Sequence, residues 1–356
     1  MRTLIDIGHP AHVHFFKNPI RILKQHGHEI LITSRDKEMA LGLLDNLGLQ
    51  HRHISSQAEG GLMSLGIELI KRNYELAKVA RKFKPDIVTA IGGTSVAQVG
   101  RLMRIPSLVF YDTENAVLQN AITYPFASCV VAPRCYGAWL PRRRHIRYRG
   151  YHELSYLHPS RFAPDRNVAI RNGLASHGDT FFVRLVSWQA SHDAGERGWS
   201  GELSENLVNM LSMRGKVLIS SESPLRTQME KYRYSGDILD VHHVMAYCRA
   251  FIGESATMAS ESAVLGVPAI YAAKTGRGYT TEQESRYGLV SNLRELDWPQ
   301  LEPMIARLLS QPREYWQSRR RELLKDTIDV AAYVADCIET FPVPLVAYNQ
   351  RSRENR

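Results

Sequence analysis

Three histidines follow the first apolar run of the sequence at close spacing. Residues 4–7 are apolar apart from Asp6, and the next segment contains His9, His12 and His14. An imidazole can take a proton from a hydroxyl group near neutral pH, because its ordinary pKa is about 6.5. Clustered histidines can also bind zinc, but this spacing across a proline is not that of a familiar zinc site. We therefore expect acid–base chemistry or simple polar capping here, and no metal.

An acidic segment at 111–115 follows a later apolar run. Its carboxylates, Asp112 and Glu114, can serve as an alternative base or can orient a histidine of the first loop. An Asx turn or a helix cap explains the same residues without any chemistry, so both interpretations stay open.

A segment of small residues at 250–270 has the pattern of a phosphate site. The sequence predicts a strand that ends at Gly253, then a helix from about Ser255 to Gly266. Free N–H groups and the positive dipole end at the start of a helix favour a phosphate. A carboxylate further along, Glu261, can accept hydrogen bonds from both ribose hydroxyls. The alternative is a capped core helix. The candidate nucleotide-binding residues of this segment are Ser255, Ala256, Thr257, Met258 and Glu261.

A further candidate contact comes from the start of the second half. The run 180–187 is predicted as a strand, and a polar loop follows it. Ser187 can touch a phosphate at the end of this strand, and Arg184 or Arg197 can neutralise one.

Strands and helices alternate along the sequence, which predicts parallel sheets covered by helices. The predicted strands are 3–7, 29–33, 86–91, 107–111, 128–132, 180–187, 216–220, 236–239, 249–252 and 268–272. The predicted helices are 14–26, 36–47, 64–83, 95–104, 201–213, 241–248, 255–265, 299–310 and a long, charged C-terminal helix over about 313–340.

Two domains of α/β class follow from this alternation and from the length of 356 residues. We predict a Rossmann-like acceptor domain at 1–150, a connection at 151–165, a second Rossmann-like domain at 166–340 and a disordered tail at 341–356. Ligands of such folds bind at the carboxyl ends of the strands, so we expect a ligand cleft between the two domains.

The composition fits a globular protein that meets an anionic partner. Hydrophobic residues make up 44% of the chain, and the formal net charge is +9. The four cysteines lack CxxC spacing, which argues against a disulfide framework or a cysteine zinc site. Without a signal-peptide pattern or an apolar run of about 18 residues, we expect a cytoplasmic protein.

The chain resembles a family of uncharacterised bacterial and archaeal GT-B-like proteins. Its 250–270 segment is similar to the nucleotide-binding strand–loop–helix of GT-B glycosyltransferases and non-hydrolysing UDP-N-acetylglucosamine 2-epimerases. The family's phosphate loop is usually richer in glycine, whereas this chain has Glu254 and Ala256. The segments that carry the resemblance are Asp6-Ile-Gly-His-Pro-Ala-His-Val-His14-Phe-Phe-Lys, Phe110-Tyr-Asp-Thr-Glu-Asn115, Gly150-Tyr-His-Glu-Leu-Ser-Tyr-Leu157 and 253–268.

This resemblance implies transfer of a sugar from a nucleotide donor, UDP-linked, to an acceptor hydroxyl in surface-polysaccharide or glycolipid assembly. It makes His12 the first choice for the base that deprotonates the acceptor, with Asp112 and Glu114 as alternatives. It implies no cofactor and no metal. Some GT-B enzymes use lipid-linked acceptors. Residues 61–72 couple apolar to basic character, for which core packing with a solvated basic face is the first interpretation. The alternative is an interfacial helix that makes weak peripheral contact with the inner face of the membrane.

Two other functions compete with glycosyl transfer. A nucleotide-sugar 2-epimerase needs acid–base groups around the sugar of the bound donor, for which His152, Glu153 and Glu261 are candidates. A non-catalytic nucleotide- or nucleic-acid-binding protein is supported mainly by the net charge. The arginine clusters at 142–149 and 319–321 are not interleaved with aromatic residues in the manner of a single-stranded nucleic-acid platform, so we expect no nucleic-acid partner.

Overall fold

Parallel strands alternate with helices throughout the computed structural model, which describes residues 1–36, 40–56, 62–186 and 199–354. The strands are β1 Arg2–Ile7, β2 Glu29–Asp36, β3 His51–Ser56, β4 Ile87–Ile91, β5 Ser107–Phe110, β6 Cys129–Pro133, β7 His145–Tyr148, β8 Asp179–Leu185, β9 Gly215–Ser221, β10 Ala250–Gly253, β11 Ala269–Ala272 and β12 Val290–Leu293.

The α-helices are α1 Pro10–Gln25, α2 Ala40–Asn46, α3 Leu62–Phe83, α4 Thr94–Met103, α5 Val117–Thr123, α6 Leu154–Leu157, α7 Arg166–Arg171, α8 Gly201–Ser212, α9 Val241–Met245, α10 Ala256–Leu265, α11 Gly278–Tyr287, α12 Trp298–Ser310, α13 Arg313–Asp326, α14 Val330–Glu339 and α15 Val343–Glu354. Two 3₁₀ helices, Thr227–Tyr232 and Ile238–Asp240, follow β9. The predicted strand at 236–239 is therefore wrong, because the Asp237 carboxylate caps a helical turn there by accepting the Leu239 N–H.

The chain divides into two units, each built on one parallel sheet. The first unit holds residues 1–156 and 328–356, and its sheet has the strand order β3-β2-β1-β4-β5-β6-β7. The second unit holds residues 157–327, and its sheet has the order β12-β11-β10-β8-β9. The α/β class with two Rossmann-like domains is confirmed.

Apolar strands buried between helices form the core of each unit. In the first unit, Leu4, Ile5 and Ile7 of β1 are fully buried, and Phe15 of α1 packs on Phe110 of β5 with 5.3 Å between ring centroids. Strands of a parallel sheet read as nearly continuous apolar runs because helices cover both faces. This is why the alternation of apolar runs and amphipathic stretches identified the fold class.

Helices α14 and α15 belong to the first unit and α13 to the second, whereas the sequence predicted that residues to 340 belong to the second domain. Helices α13 and α14 cover the predicted 313–340 helical region, separated by three residues, and α14 packs against α1. The Glu339 carboxylate at the end of α14 accepts hydrogen bonds from His26 and His28 at 3.0 and 2.8 Å. These bonds fix α14 to the connection between α1 and β2.

The tail from 341, predicted to be disordered, contains helix α15 instead. Its residues contact the β7 region: the Tyr348 ring lies 5.5 Å from that of His145, and the Asn349 amide donates to the Arg143 carbonyl at 3.0 Å. These tertiary contacts order a segment whose sequence has little helical periodicity of its own.

Within the described part of the chain, no single helix is long and apolar enough to cross a membrane. One pair of segments bent by 106°, Arg313–Glu339 with Val343–Ser352, meets that length and composition test only when its members are taken together.

Candidate functional site

The first unit gathers its acid–base side chains in the loops after several strands of one parallel sheet. His9 and His12 follow β1, Asp112 and Glu114 follow β5, and His152 follows β7. A glycine pair at 92–93 follows β4. The carboxyl ends of parallel strands lie at one edge of their sheet, so these loops share that edge.

His9 and His12 have different roles at the start of α1. The His9 side chain is the N-cap and accepts the Ala11 N–H at 3.2 Å, while Pro10 opens the helix. His12 is half-buried in the first turn, and its Nδ1 accepts the Gly8 N–H at 3.4 Å. His14 lies on the next part of the helix, with its ring 5.3 Å from that of Tyr156.

The partly buried Asp112 carboxylate pairs with the buried imidazole of His152. The Asp112 Oδ2 atom lies 3.1 Å from His152 Nδ1, and the Thr113 hydroxyl donates to Asp112 Oδ1 at 3.0 Å. Burial by itself would raise the pKa of Asp112. The charge of His152, the hydrogen bonds from His152 and Thr113, and the charge of His12 outweigh burial and lower this pKa to about 2. Asp112 is therefore a carboxylate across the physiological range and a partner of His152.

The rest of the His152 side chain is enclosed. Its ring packs on Phe15 with 4.4 Å between centroids, and the residue is 7% exposed. Among the described residues, no hydrogen-bond partner reaches its buried Nε2 atom. The sequence identified His152 only for the epimerase alternative. Its position in a segment that carries the family resemblance was the available signal, because β7 itself was not predicted.

Glu114 faces a different loop from Asp112. One of its carboxylate oxygens accepts the Gly137 N–H at 3.2 Å, in the segment that follows β6. The structure therefore brings Asp112 together with a histidine and places Glu114 on the backbone of a neighbouring loop.

In the second unit, the predicted strand, loop and helix form β10, Glu254-Ser255 and α10. Ser255 is the N-cap, and its hydroxyl accepts the Met258 N–H at 3.3 Å. Ala256, Thr257 and Met258 make up the first turn, whose initial N–H groups have no partner within the helix. A Cβ atom at Gly253 would lie 2.5 Å from the carbonyl oxygen of residue 184 in β8, so glycine is required for the two strands to approach.

This helix starts at the point where the strand order of the sheet reverses. The chain runs from β8 to β9 on one side and from β10 to β11 and β12 on the other. Ligands of open α/β sheets bind at such switch points. The positive end of α10 and the carboxyl end of β8 therefore both lie at the position of this unit where a ligand is expected to bind.

Glu254, for which the resemblance implies glycine, turns its carboxylate into the protein. Its two oxygens accept the Val186 N–H at 2.9 Å and the Trp199 N–H at 3.0 Å, and the side chain is buried. These bonds satisfy the charge internally, so the carboxylate does not face an anion at the helix start.

Glu261 is buried inside α10 and is bound to His242 of α9. Its Oε1 atom lies 2.9 Å from His242 Nε2, and both residues are almost completely enclosed. A ribose contact of Glu261 would thus depend on a carboxylate that a histidine already orients.

Of the other residues predicted to contact a phosphate, the structure describes only Arg184. Ser187 and Arg197 lie outside the described residues. The Arg184 guanidinium donates to the Ser220 hydroxyl at 2.7 Å and forms an ion pair with Glu222. Its charge is thereby compensated within the sheet.

Among the described residues, one group has the ligand types and proximity for a metal ion. The ligand atoms of His26, His28 and Glu339 lie within 4.8 Å of one another. His26 and His28 precede β2, so this group belongs to the opposite edge of the sheet from Asp112 and His152.

Comparison with known families and proteins fits this architecture. The family model described as "Protein of unknown function (DUF354)" matches residues 1–277. An uncharacterized protein of Methanocaldococcus jannaschii is 23% identical over 282 residues, which cover 75% of this chain and 80% of that protein.

Solved structures of similar fold include both glycosyltransferases and epimerases. The UDP-GlcNAc 2-epimerase of Neisseria meningitidis, bound to UDP-GlcNAc, superposes with a TM-score of 0.69 at 13% identity over 94% of this chain and 98% of its own. Spinosyn rhamnosyltransferase SpnG, complexed with spinosyn aglycone, has a TM-score of 0.64 and 12% identity over 94% of this chain and 99% of its own. MurG of Acinetobacter baumannii has a TM-score of 0.61 and 15% identity over 95% of this chain and 99% of its own. The GT-B-like fold is therefore confirmed.

Proposed function

We propose that this chain, which belongs to the DUF354 family of proteins of unknown function, transfers a sugar from a nucleotide donor, UDP-linked, to an acceptor hydroxyl. The observation that carries the proposal is a GT-B-like fold whose first sheet presents the Asp112–His152 pair and His12 at its carboxyl edge. Such groups suit deprotonation of an acceptor hydroxyl. The acceptor belongs to surface polysaccharide or glycolipid, and the enzyme works in the cytoplasm or at the inner face of its membrane.

The second unit supplies the donor site in this proposal. The start of α10, with Ser255, Ala256, Thr257 and Met258, receives the diphosphate, and Glu261 receives the ribose. The positive end of a helix stabilises the charge that develops on the leaving diphosphate, so no metal is required for this step. The candidates of the first unit for handling the acceptor remain His12, Asp112 and Glu114.

The donor site is tested by nucleotide binding to variants of Glu261. We expect Glu261→Ala to weaken binding of a UDP-sugar by about 10- to 150-fold, because a hydrogen bond to a charged group contributes roughly 1.5–3 kcal/mol. The measurement is isothermal titration calorimetry, alongside thermal shift. A ligand at 100 times its Kd adds about 2.7 kcal/mol of stability, which makes binding visible in unfolding.

His242→Gln is the matched control for this prediction. The glutamine amide can still donate a hydrogen bond to the Glu261 carboxylate and so keep it oriented, and affinity should stay within a few-fold of the unsubstituted chain. Equal losses in the two variants would mean that Glu261 acts only by holding α10 in place. A folded Glu261→Ala variant with unchanged affinity would remove Glu261 from the proposed site.

A nucleotide-sugar 2-epimerase is the second candidate, because a UDP-GlcNAc 2-epimerase is among the solved structures of similar fold. Its chemistry would use His152, Glu153 or Glu261 on the sugar of the donor. Incubation with UDP-GlcNAc, once without and once with an acceptor, separates the two. A changed sugar configuration on the intact nucleotide without acceptor supports the epimerase, and UDP release that requires the acceptor supports transfer.

Weak contact with an anionic membrane is also part of the proposal. Helix α3 presents Ile67, Ile70 and Tyr74 with exposed fractions of 50%, 70% and 68%, next to the exposed Lys71 and Lys78. Their spacing places the three apolar side chains on one face of the helix, as in an interfacial helix.

We expect the protein to sediment with phosphatidylglycerol vesicles at low salt and to be released as salt rises. Ile70→Glu should weaken this binding about tenfold, since burial of an aliphatic side chain contributes roughly 1.5–3 kcal/mol. Met213→Glu changes an 80% exposed apolar residue of the second unit and serves as the control. Equal binding to neutral and anionic vesicles, or equal effects of both substitutions, would contradict this role of α3.

A further inference from the structure

The unpartnered nitrogen of His152 requires an explanation. A buried polar atom without a hydrogen bond costs roughly 1–3 kcal/mol, and such atoms in folded proteins often mark catalytic groups or ligand contacts. No partner for Nε2 occurs among the residues that the structure describes, and the imidazole is held by Asp112 on one side and Phe15 on another. A ligand hydroxyl would supply the missing partner.

The hydrogen bond to Asp112 decides which nitrogen can accept a proton. A carboxylate 3.1 Å from Nδ1 holds the ring proton there, because a carboxylate only accepts hydrogen bonds. Neutral His152 then carries its free lone pair on Nε2. This is the tautomer that an acid–histidine pair gives to a general base, and the carboxylate also stabilises the imidazolium that forms.

His12 has the reverse arrangement. Its Nδ1 accepts the backbone N–H of Gly8, so its ring proton belongs on Nε2 when the ring is neutral. The Nε2 atom of this tautomer is a donor. To accept a proton on Nδ1, His12 must give up its contact with Gly8, whereas the accepting atom of His152, Nε2, has no hydrogen bond to a described residue to give up.

A second buried group lies near the same carboxylate. The Tyr148 hydroxyl is enclosed, and no hydrogen-bond partner for it occurs in the described residues. Burial, and after it the nearby charge of Asp112, keep the pKa of Tyr148 well above its ordinary value. Tyr148 is therefore a neutral hydroxyl near the Asp112–His152 pair.

We infer that His152, positioned by Asp112, is the general base that deprotonates the acceptor hydroxyl. This inference rests on the proposed glycosyl transfer and assigns its base to a residue other than His12. It also predicts the stereochemistry of the transfer, because a base that assists direct attack on the anomeric carbon gives inversion of configuration.

The proton and electron pairs balance within this one step. The acceptor oxygen forms a bond to the anomeric carbon as its proton passes to His152 Nε2. The bond from the anomeric carbon to the diphosphate oxygen breaks, and its electron pair leaves with the nucleoside diphosphate. Asp112 stays ionised and faces the positive charge on the imidazolium.

The test compares His152 variants with His12→Ala in acceptor-dependent turnover. We expect His152→Ala to lower kcat by about 10²–10⁴, the usual contribution of a general base, with donor KM and UDP affinity within a few-fold of the unsubstituted chain. Added imidazole should restore part of this loss. His152→Gln fills a similar space and should be as slow as His152→Ala. Circular dichroism of both variants checks that they are folded. Asp112→Asn should lower kcat about tenfold or more without imidazole rescue.

His28→Gln is the matched control, because it disrupts another histidine–carboxylate pair of the first unit, at the amino end of β2. It should leave kcat unchanged. A wild-type chain that neither binds nor turns over nucleotide sugars would contradict the proposed function. An active wild-type chain contradicts the inference alone if folded His152 variants stay within a few-fold of its kcat, if His12→Ala shows the larger loss, or if the anomeric configuration is retained.

Discussion

Replacement of Asp6 by alanine is expected to destabilise the first unit by about 3–5 kcal/mol, since it leaves a buried arginine without its counter-charge. Both carboxylate oxygens of Asp6 accept hydrogen bonds from the Arg72 guanidinium at 2.8 Å, and both residues are buried. The Thr33 hydroxyl also donates to Asp6 at 2.7 Å, and Arg72 donates to Ser55. One ion pair thus connects β1, β2, β3 and α3.

The measurement is equilibrium unfolding in urea, followed with probes in each unit, because a chain of two units need not unfold in one step. Replacing Asp6 and Arg72 together by leucine and methionine should recover most of the loss, since well-packed apolar residues often substitute for a buried ion pair at little cost.

Glu230→Ala provides the comparison, because it removes an exposed ion pair with Arg233. Exposed pairs contribute little, so this variant should unfold at the midpoint of the unsubstituted chain. The Asp6–Arg72 pair would have no stabilising role if Asp6→Ala unfolded at that same midpoint.

The class of fold was predictable because its signal is local and repeated. Buried strands such as 87–91 and 129–133 are apolar along most of their length, and each is followed by turn residues or polar loops. Strands β3 and β7 were not predicted, because His51–Ser56 and His145–Tyr148 consist largely of polar and charged residues with few apolar ones. Their strand conformation comes from pairing with β2 and β6, which a local pattern does not contain.

Local elements of the candidate sites were predictable to the same degree. The predicted helix from about Ser255 to Gly266 matches α10, with Ser255 as its N-cap and Gly266 as its C-cap. Spacing identifies such caps because both groups of a cap lie within a few residues of each other.

Pairs that connect distant residues were not predictable. Asp112 and His152 are 40 positions apart, and the sequence contains several other histidines that could partner Asp112. Which histidine faces the carboxylate depends on the packing of Phe15 against His152 and on the order of the strands. The same holds for Glu254. From the sequence alone, its charge is unfavourable beside a phosphate, and only the structure shows that two backbone N–H groups bind the carboxylate.

Replacement of Glu254 by glycine, the residue that the resemblance implies, is expected to lower stability and not to improve nucleotide binding. The carboxylate accepts N–H groups from Val186 and Trp199, which flank residues 187–198. Loss of two charge-assisted hydrogen bonds costs about 3 kcal/mol or more, and the added flexibility of glycine increases the loss. Glu254→Gln should be intermediate, because its single carbonyl oxygen can accept one of the two N–H groups while its amide opposes the other.

The comparison of stability with affinity separates this structural role from simple charge repulsion. If Glu254 only repels the diphosphate, then its removal should raise UDP affinity and leave the urea midpoint of the second unit unchanged. If the carboxylate instead holds the carboxyl end of β8 against the start of α10, the midpoint should be highest for the unsubstituted chain, lower for Glu254→Gln and lowest for Glu254→Gly, and UDP affinity should not rise. Both quantities come from the same samples by urea unfolding and calorimetry. Because the two N–H groups face a buried carboxylate already, we expect the second result.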